Sequence, residues 1–298
     1  MSQQMNNTHC PICKNKTFSP VLTATDNTVT GESFEIAECG MCGLRFTLNA
    51  PAESEIQKYY QSSAYISHSN TKKGVINSLY HIARHFTMMS KERLVKRESK
   101  RKVGMLLDIG SGTGVFVNTM VKAGWSVVGL EPDPEARAMA IKQYNCDIYP
   151  SEDLFRLPPE TYSVITMWHV LEHVHQLDDY VKRIKELLAP NGKLIIAVPN
   201  YTSKDAAVYK ANWASYDVPR HLYHFSPKSM RVLMKRHGLR VIKTRRMWLD
   251  SFYISLLSEK NRNGFFLRGI WNGLVSNINA LIQREQCSSL IYVIDKAD

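Results

Sequence analysis

The feature that most constrains this chain is a short apolar run that leads directly into three closely spaced glycines. Residues 105–109 read Met-Leu-Leu-Asp-Ile, which is the composition of a buried strand. The glycines follow at alternating positions: Gly110, Gly112 and Gly114. An amphipathic segment comes next and predicts a helix. A glycine turn between strand and helix allows close approach of the backbone to a nucleotide-like ligand, and the helix N-terminus adds free N–H groups.

Further apolar segments alternate with helical ones after this turn. Strands are predicted at residues 126–130, 147–149, 163–168, 193–198, 239–247 and 289–294. Helices are predicted between several of them, for example at residues 178–188 and 227–237. Such alternation is typical of a largely parallel sheet with helices packed on both faces. We therefore expect an α/β fold for most of the chain.

Four of the six cysteines form two C-x-x-C pairs near the N-terminus. The pairs are Cys10 with Cys13 and Cys39 with Cys42, and 25 residues separate them. This spacing is typical of a zinc ribbon in which four thiolates hold one metal ion. A four-thiolate site has no open position, so a structural zinc is expected. The alternative is a pair of disulfides, which a cytoplasmic location disfavours.

The location of the protein is expected to be cytoplasmic. The first eight residues are polar and do not resemble a signal peptide. We also find no uncharged apolar stretch of the roughly 18 residues that a membrane-spanning helix needs. These two observations also make disulfide bonds an unfavourable reading of the cysteine pairs.

The formal charge of +11 is concentrated in two segments. Residues 72–102 hold ten Lys and Arg against Glu92 and Glu98, and residues 228–246 hold eight without an acid. Solvated helix faces are one interpretation. The other is an anionic partner such as a nucleotide-sugar, a lipid-linked intermediate or RNA.

Two carboxylates flank the glycine turn. Asp108 lies at the end of the first strand, and Glu131 ends the next strand, 23 residues later. The glycine spacing differs from the G-x-G-x-x-G of dinucleotide sites. The whole arrangement resembles the class I S-adenosylmethionine (SAM) methyltransferases, whose first motif is hD-x-G-x-G-x-G. That resemblance implies a Rossmann-like seven-stranded sheet of order 3-2-1-4-5-7-6, with the last strand antiparallel and helices on both faces.

The resemblance also implies a set of SAM-binding residues. The loop around Asp108 would hold the methionine end through Gly110, Ser111, Gly112 and Gly114. Glu131, followed by Pro132, would bind the ribose hydroxyls, and Glu152 or Asp153 would contact the adenine amine. Trp168 and His169, at the start of a WHVLEHV segment, would line the cofactor, and Tyr60 or Tyr65 could cover it. The alternative is a Rossmann-like domain for another nucleotide.

Candidate catalytic residues follow the fifth predicted strand. Residues 213–226 form a dense cluster of titratable and aromatic side chains that includes Arg220, His221 and His224. Loops at this edge of the sheet face the ligand crevice in such folds. The segment is similar to that of sugar C-methyltransferases, which also carry an N-terminal zinc-binding domain and a YHEH…YFS sequence here. Alignment on Phe225-Ser226 places the base of that family on His221, while Pro219-Arg220 replaces its His-Glu pair.

Three units are therefore expected: a zinc ribbon at residues 1–50, a helical connector or cap at 51–102, and a SAM-dependent methyltransferase domain at 103–298. Residues 250–286 form a helical insertion that could be a lid, an oligomer contact or a peripheral membrane contact.

The function expected first is methyl transfer from SAM to a small or lipid-linked anionic acceptor, such as a sugar or nucleotide-sugar. His221 would be the base in that reaction, and Arg220 would help to bind the acceptor. One alternative is a zinc-ribbon RNA methyltransferase, which the ribbon's lack of aromatics interleaved with Lys and Arg disfavours. The other is a non-catalytic scaffold with a SAM-binding fold.

Overall fold

A computed structural model describes residues 8–60 and 75–297, and the side chains of residues 75–85 are outside the description. Eleven strands form two sheets within these residues. They are β1 (Phe18–Thr25), β2 (Ser33–Cys39), β3 (Arg45–Thr47), β4 (Met105–Ile109), β5 (Ser126–Leu130), β6 (Ile148–Tyr149), β7 (Tyr162–Trp168), β8 (Leu188–Pro199), β9 (Tyr223–His224), β10 (Leu239–Arg246) and β11 (Ser289–Lys296).

The larger sheet has seven strands in the order β10-β11-β8-β7-β4-β5-β6. β7 is its middle strand, and the neighbouring β4 pairs in parallel with β5 and β7. β11 is antiparallel to both of its neighbours, β8 and β10. When the seven strands of this sheet are numbered in chain order, their order from β6 to β10 is 3-2-1-4-5-7-6, and the seventh, β11, is antiparallel. The expected Rossmann-like α/β fold is therefore confirmed.

Eight α-helices are found in the described residues. They are α1 (Val75–Ser99), α2 (Val115–Lys122), α3 (Pro134–Tyr144), α4 (Leu177–Leu187), α5 (Lys204–Tyr209), α6 (Pro227–Arg236), α7 (Trp248–Asn261) and α8 (Phe266–Ile282). Local signals set several of their ends. The Asp133 side chain accepts the Glu135 N–H at the start of α3, and Ser226 and Ser229 form a reciprocal capping box at the start of α6.

The smaller sheet joins the N-terminal segment to the predicted catalytic segment. Its order is β1-β2-β3-β9, so three strands from before residue 50 continue into Tyr223 and His224. A single cluster of buried side chains includes Phe46 of β3, Ile109 of β4 in the larger sheet, and Phe225, which directly follows β9. The ribbon segment is therefore packed into the same apolar core as the large sheet.

Strand β8 is longer than the sequence predicts. Its predicted start is Lys193, after a break at Pro190-Asn191-Gly192, but the strand begins at Leu188. A register shift in its pairing with β7, between Tyr162 and Val164, accommodates the turn-forming residues within the strand.

Residues 250–286, the predicted insertion between the last two strands, contain most of α7 and all of α8. Among the helices of the described ranges, none combines the length and the apolar character needed to cross a bilayer.

Candidate functional site

The glycine turn joins β4 to α2 through three left-handed residues. Gly110, Gly112 and Gly114 have φ angles of +75°, +53° and +76°. A Cβ at Gly110 would lie 2.3 Å from Val170 Cγ2, and one at Gly114 would lie 2.7 Å from Ala140 Cβ. At Gly112, by contrast, a Cβ would meet no described atom within 4 Å. Gly110 and Gly114 are therefore required by packing, whereas Gly112 leaves space on the side from which a ligand can approach.

Asp108 ends β4 as a buried carboxyl group. Thr166 Oγ1 donates a hydrogen bond of 2.6 Å to Asp108 Oδ1, and Ser111 Oγ donates one of 2.8 Å to the Asp108 carbonyl. Burial raises the pKa of Asp108 to about 6, although the Thr166 hydrogen bond acts in the opposite direction. Asp108 and Ser111 thus support the glycine loop from beneath.

Glu131 follows β5 and connects two turns. Its carboxylate accepts the Gly112 N–H at 2.8 Å and the Asp133 N–H at 3.0 Å. Burial raises the pKa of Glu131, and the two amide hydrogen bonds oppose that rise. A carboxylate has about four acceptor positions, so two remain for the hydroxyls of a ligand. Pro132 is held next to it, because Arg137 Nη1 donates to the Glu131 and Pro132 carbonyls at 2.7 and 2.8 Å.

The two acids expected near adenine lie in a 3₁₀ turn that follows β6. This turn, Ser151–Phe155, is at the same edge of the sheet as the end of β5. Asp153 accepts a hydrogen bond of 3.1 Å from Arg156, whereas Glu152 is exposed. The structure thus brings both acids to the expected edge, with Glu152 the more accessible.

Trp168 ends β7 and packs against both α2 and α1. Its ring meets Phe116 edge to face at a centroid distance of 5.4 Å. Lys91 Nζ of α1 lies 4.3 Å from the centroid of the same ring. Burial lowers the pKa of Lys91 to about 8, although the Asp108 charge opposes the shift. Lys91 therefore brings an ammonium group close to the Asp108 end of the glycine turn.

His169 connects the end of β7 to the insertion. Its Nε2 lies 3.0 Å from Asp250 Oδ2 of α7, and its Nδ1 lies 3.4 Å from Glu172 Oε1. Burial opposes protonation, but the two carboxylates raise the pKa of His169 to about 10. His169 is therefore held in place as an imidazolium with a positive backbone φ of +58°.

His173 and His221 form an imidazole pair beside the buried Glu172. Their rings meet edge to face at a centroid distance of 4.6 Å. His221 Nδ1 lies 2.8 Å from the Ser215 carbonyl, and His173 Nδ1 lies 3.0 Å from the Arg220 carbonyl. Because a carbonyl only accepts, both Nδ1 atoms carry the proton and both Nε2 atoms are free to accept one.

Glu172 is completely buried and supplies the negative charge next to this pair. A carboxylate oxygen of Glu172 and one ring nitrogen each of His173 and His221 lie within 4.8 Å of one another. Within the described residues, the 3.4 Å contact between Glu172 Oε1 and His169 Nδ1 is the closest polar contact that the Glu172 carboxylate makes, and neither oxygen has a hydrogen bond of ordinary geometry. Burial, together with the neighbouring His221, lowers the pKa of His173 to about 4, so this ring is neutral at pH 7. Tyr60 Oη lies 3.0 Å from His173 Nδ1, and Tyr65 is outside the described residues.

Arg220 does not have the place expected of an acceptor-binding residue. Only 1% of it is exposed. Its guanidinium donates to Asp217, to Asp26 Oδ1 at 2.9 Å and to the Tyr59 carbonyl at 2.8 Å. A guanidinium has five N–H donors, and these contacts engage each of its three nitrogens. Arg220 thus joins the catalytic segment to the N-terminal sheet, and the expectation that it binds anionic groups of an acceptor needs correction.

His224 belongs to the smaller sheet and is not part of the cluster that Glu172, His173 and His221 form. It pairs with Arg45 across β3 and β9, and its Nε2 lies 3.2 Å from Thr47 Oγ1. Tyr216 meets its ring edge to face at 5.0 Å. Burial lowers the pKa of His224 well below its usual value. These contacts give His224 the setting of a neutral packing residue, in contrast to the catalytic role expected for it.

The four N-terminal cysteines converge. Their Sγ atoms all lie within 4.8 Å of one another, with 3.5 Å between Cys10 and Cys42 and 3.4 Å between Cys13 and Cys39. The edges of a tetrahedron with Zn–S bonds of about 2.3 Å are about 3.8 Å long, so the donor set fits one zinc ion. All four are free thiols.

Two further residues that the sequence interpretation did not single out contribute to the site. Lys91 lies on α1, before the first strand of the large sheet begins at Met105, and Asp250 lies in the insertion. Both contacts depend on how distant segments pack. The only sequence signal was the basic character of residues 72–102, which does not distinguish Lys91 from its neighbours.

The chain is similar in sequence to known methyltransferases. Residues 81–244 match the family model Methyltransf_23, described as a methyltransferase domain. Among curated proteins, the chain is 33% identical over 106 residues to the mitochondrial ubiquinone biosynthesis O-methyltransferase of Schizosaccharomyces pombe, covering 33% of this chain and 38% of that protein. It is 26% identical over 149 residues to the ubiquinone biosynthesis O-methyltransferase of Xanthomonas euvesicatoria, covering 46% of this chain and 62% of that protein.

These alignments thus span less than two thirds of the curated relatives. Among solved structures, the Haemonchus contortus phosphoethanolamine N-methyltransferase 2 in complex with SAM has the same fold, with a TM-score of 0.50 and 18% identity. The similarity covers 70% of this chain and 53% of that one. The family match covers more than half of the chain and contains the glycine turn, Glu131 and the imidazole pair. The chain therefore belongs to the methyltransferase-domain family of class I SAM-dependent methyltransferases.

Proposed function

We propose that this protein transfers the methyl group of SAM to a hydroxyl group of a small, lipid-linked or nucleotide-linked acceptor, with His221 as the general base. The observation that carries this proposal is the imidazole pair with its buried carboxylate. Glu172 and His173 lie in the 3₁₀ turn Leu171–His173 that follows β7, and β7 pairs with β4 where Thr166 faces Asp108. The loop between β8 and β9 brings His221 against this turn, with its ring 4.6 Å from that of His173.

SAM would bind along the ends of β4 and β5. Gly112 leaves room for SAM to come close to the protein backbone. The two free acceptor positions of the Glu131 carboxylate suit the ribose hydroxyls of SAM. Glu152 is the better candidate for the adenine amine, because Asp153 is paired with Arg156. Lys91 offers a positive charge for the carboxylate of the methionine part. When bound, SAM supplies a methyl group on a sulfonium centre, and the protein aligns the acceptor with it.

His221 has the geometry of a base for the acceptor hydroxyl. The Ser215 carbonyl holds its proton at Nδ1, which leaves the Nε2 lone pair available. Nε2 lies 3.9 Å from Asp217 Oδ2, and Glu172 is on the adjacent turn. Both carboxylates stabilise the imidazolium that forms when Nε2 takes the hydroxyl proton. His173, held neutral, lies against the ring and excludes water from one side.

The distribution of charge favours a small acceptor over RNA. Several cations of the basic segment 228–246 are paired within the protein. Lys243 and Arg245 contact Glu98, Arg231 contacts Glu285, and Arg236 lies near Asp178. Paired cations contribute less to phosphate binding than free ones. The names of the curated relatives, ubiquinone biosynthesis O-methyltransferases, support a hydroxyl acceptor, and a prenylated phenol and a nucleotide-sugar are the two acceptor classes to compare.

Zinc completes the proposal as a structural ion. The four thiols at the N-terminus fit a closed tetrahedral site, which has no position for a substrate. The ion would fix the two knuckles that precede β1 and follow β2, and through β3 it would hold the strand that carries His224.

The experiment that tests this function compares wild type with His221→Asn, and uses His237→Asn as a matched control outside the site. S-adenosylhomocysteine binding is measured by calorimetry. Its release during turnover is measured with a prenylated phenol, a nucleotide-sugar or an RNA transcript as the acceptor.

We expect wild type and both variants to bind S-adenosylhomocysteine with similar affinity. His221→Asn should lower kcat with the preferred acceptor at least about 100-fold. Full turnover by His221→Asn would contradict the assignment of the base. Turnover with RNA alone would replace the acceptor class, and a wild-type protein that does not bind S-adenosylhomocysteine would contradict the function itself.

A further inference from the structure

We propose that helices α7 and α8, here called the hairpin, dock on the surface of a bilayer that contains anionic lipids. The proposal concerns an interaction surface, and it stands whether or not the acceptor is lipid-linked. It rests on which side chains the hairpin exposes, on how its helices pack, and on the charge beside the exposed face.

Helix α8 has its side chains distributed opposite to those of an ordinary surface helix. Its buried residues are small: Gly269, Gly273, Ser276 and Ala280. The large apolar residues of its exposed face and N-terminus are 62–80% exposed: Phe265, Phe266, Leu267, Trp271, Leu281 and Ile282. An exposed apolar surface of this extent on a monomer usually marks a site of interaction with protein or membrane.

The helices of the hairpin approach each other closely through the small residues. A Cβ at Gly269 would lie 2.9 Å from Leu256 Cδ2 and 3.1 Å from Leu256 Cα. One at Gly273 would lie 2.8 Å from Phe252 Cδ1 and 2.9 Å from Phe252 Cα. Small residues let two helix backbones approach closely, and this packing leaves the large apolar side chains of α8 on the outer face of the hairpin.

Helix α7 repeats the pattern. Ser251, Ser255 and Ser258 are completely buried, whereas Leu249 and Tyr253 are each 51% exposed. Apart from Ile254, which is 6% exposed, the buried face of α7 is thus polar, and large apolar side chains lie on its exposed face. A helix exposed only to water would instead place its apolar residues toward the protein and its polar residues toward the solvent.

Charge identifies the partner as a lipid surface. Residues 260–284 contain four basic residues, Lys260, Arg262, Arg268 and Arg284, and no acid. The buried Glu259 just before them pairs with Arg262 and lies 3.8 Å from Arg268, so the four cations still exceed this one acid by three charges. Lys260, Arg268 and Arg284 are exposed, and they flank the exposed aromatic residues. Basic residues at the edges of an aromatic and aliphatic face are typical of helices that lie in the interface of an anionic bilayer.

A second copy of the chain fits this face less well. A two-fold dimer would place the same patch against itself, because each residue of a two-fold interface meets the same surface on its partner. The exposed Lys260, Arg268 and Arg284 of each copy would then approach the same cations of the other copy, and the nearest acid of the hairpin, Glu259, is buried and already paired within its own copy. An anionic lipid surface provides the compensating charge, and neither helix is long and apolar enough to cross the bilayer.

Docking would bring the reaction site close to the lipid. Asp250 of α7 bonds with His169 at 3.0 Å, so the start of the hairpin is in contact with the candidate active site. An acceptor with a lipid tail could then remain in the bilayer while its polar group reaches His221. This consequence rests on the proposed function, whereas the docking itself does not.

The test is co-sedimentation of the full chain with vesicles of phosphatidylcholine alone, or of phosphatidylcholine with phosphatidylglycerol. The variant Phe265→Ser/Phe266→Ser/Trp271→Ser removes exposed aromatic groups from the hairpin. The matched control, Val121→Ser/Ile141→Ser/Ile242→Ser, removes apolar groups that are 44–48% exposed elsewhere. S-adenosylhomocysteine binding is measured for each variant to verify folding, and light scattering gives the oligomeric state.

We expect wild type and control to sediment with the anionic vesicles, and binding to fall when NaCl is raised to 1 M. The hairpin variant should bind at least about tenfold more weakly. Brominated lipid should quench the tryptophan fluorescence of the wild type, and the quenched fraction should be smaller in the single variant Trp271→Phe. This measurement does not require the triple variant to fold. Absence of wild-type binding, equal binding of the triple variant, or a lipid-independent dimer that the triple variant abolishes would each overturn the proposal.

Discussion

At the scale of single residues, the environment of Asp108 has consequences for stability as well as for binding. Its carboxyl group is 1% exposed and receives a hydrogen bond from Thr166. Its pKa in the folded protein is about 6, mainly because of burial. In the unfolded chain an aspartate titrates near 3.9. The folded state therefore binds this proton more tightly than the unfolded state does.

This difference predicts a pH-dependent effect of Asp108→Asn. A folded pKa above the unfolded value stabilises the protein at low pH, and the contribution is lost as the pH rises through about 6. Between pH 5 and 7.5, wild type should lose about 1 kcal/mol of unfolding free energy relative to Asp108→Asn. Urea unfolding at both pH values measures the difference.

The control for this prediction is Thr166→Val, which removes the hydrogen bond that favours the charged carboxylate. That variant should show a larger loss between the two pH values than wild type does. If the difference between wild type and Asp108→Asn does not change with pH, the folded pKa of Asp108 is not raised.

At the scale of elements, two glycines of the turn between β4 and α2 have different roles: Gly112 leaves space for a ligand, and Gly114 permits close packing. Gly112 has a left-handed φ of +53° and open space around it, whereas Gly114 would place a Cβ 2.7 Å from Ala140 Cβ. Both substitutions to alanine strain the backbone. Only Gly114→Ala also forces two packed elements apart, because α3 lies against it.

We therefore predict different outcomes for the two alanine variants. Gly112→Ala should cost about 1 kcal/mol of unfolding free energy and weaken S-adenosylhomocysteine binding at least about tenfold, because the methyl group occupies the approach path. Gly114→Ala should cost about 2–4 kcal/mol. Urea unfolding and calorimetry measure these effects.

Gly31 provides the control, because it has a φ of +74° and, among the described atoms, none within 4 Å of an added Cβ. Gly31→Ala should reproduce the strain of Gly112→Ala without weakening ligand binding. Unchanged binding in Gly112→Ala would mean that the ligand does not pass over this residue.

At the scale of the whole molecule, the N-terminal module and the catalytic segment share a sheet and a buried ion-pair cluster. β3 pairs with β9, and the Arg220 guanidinium, which also contacts Asp217, bonds to Asp26, 194 positions earlier in the chain. The His221 backbone is also joined to the N-terminal module, because Thr47 Oγ1 of β3 donates a hydrogen bond of 2.8 Å to the His221 carbonyl. The four-thiol site can therefore influence the position of the proposed base.

Zinc removal should consequently affect catalysis and not only the stability of the N-terminus. We predict one zinc per chain in the wild type, and loss of the ion in Cys39→Ser. At zinc concentrations a thousandfold above its dissociation constant, bound ion contributes about 4 kcal/mol of stability. The variant should lose that stability and most of its methyl transfer, while S-adenosylhomocysteine binding remains. Metal analysis, thermal unfolding and calorimetry measure the three effects.

Cys146→Ser is the control, since this cysteine lies outside the four-thiol site. It should retain the zinc. Disulfide bonds in place of free thiols in the wild type would contradict a zinc site, and full activity in the zinc-free variant would contradict the coupling to His221.

Much of the large sheet could be predicted because its signals are local. Apolar runs of strand length and glycine and proline breaks each report what one element buries. They predicted the strands well, apart from β8, where the break at Pro190 lies within a continuous strand. The strand order was implied by the family resemblance that Asp108, the glycines and Glu131 carry.

The sequence by itself thus determined the succession of elements, the glycine turn and the paired cysteines, because short-range spacing specifies each of them. The tertiary structure decided which charged groups are buried and paired. Arg220 became an internal link, His224 joined the smaller sheet, and Glu172 came to lie beside the imidazoles of His173 and His221. Periodicity does not report such contacts, because they form between segments more than 40 residues apart whose burial depends on the complete packing. The hairpin shows the same limit, since its apolar residues could equally have been core until packing placed its glycines and serines inside.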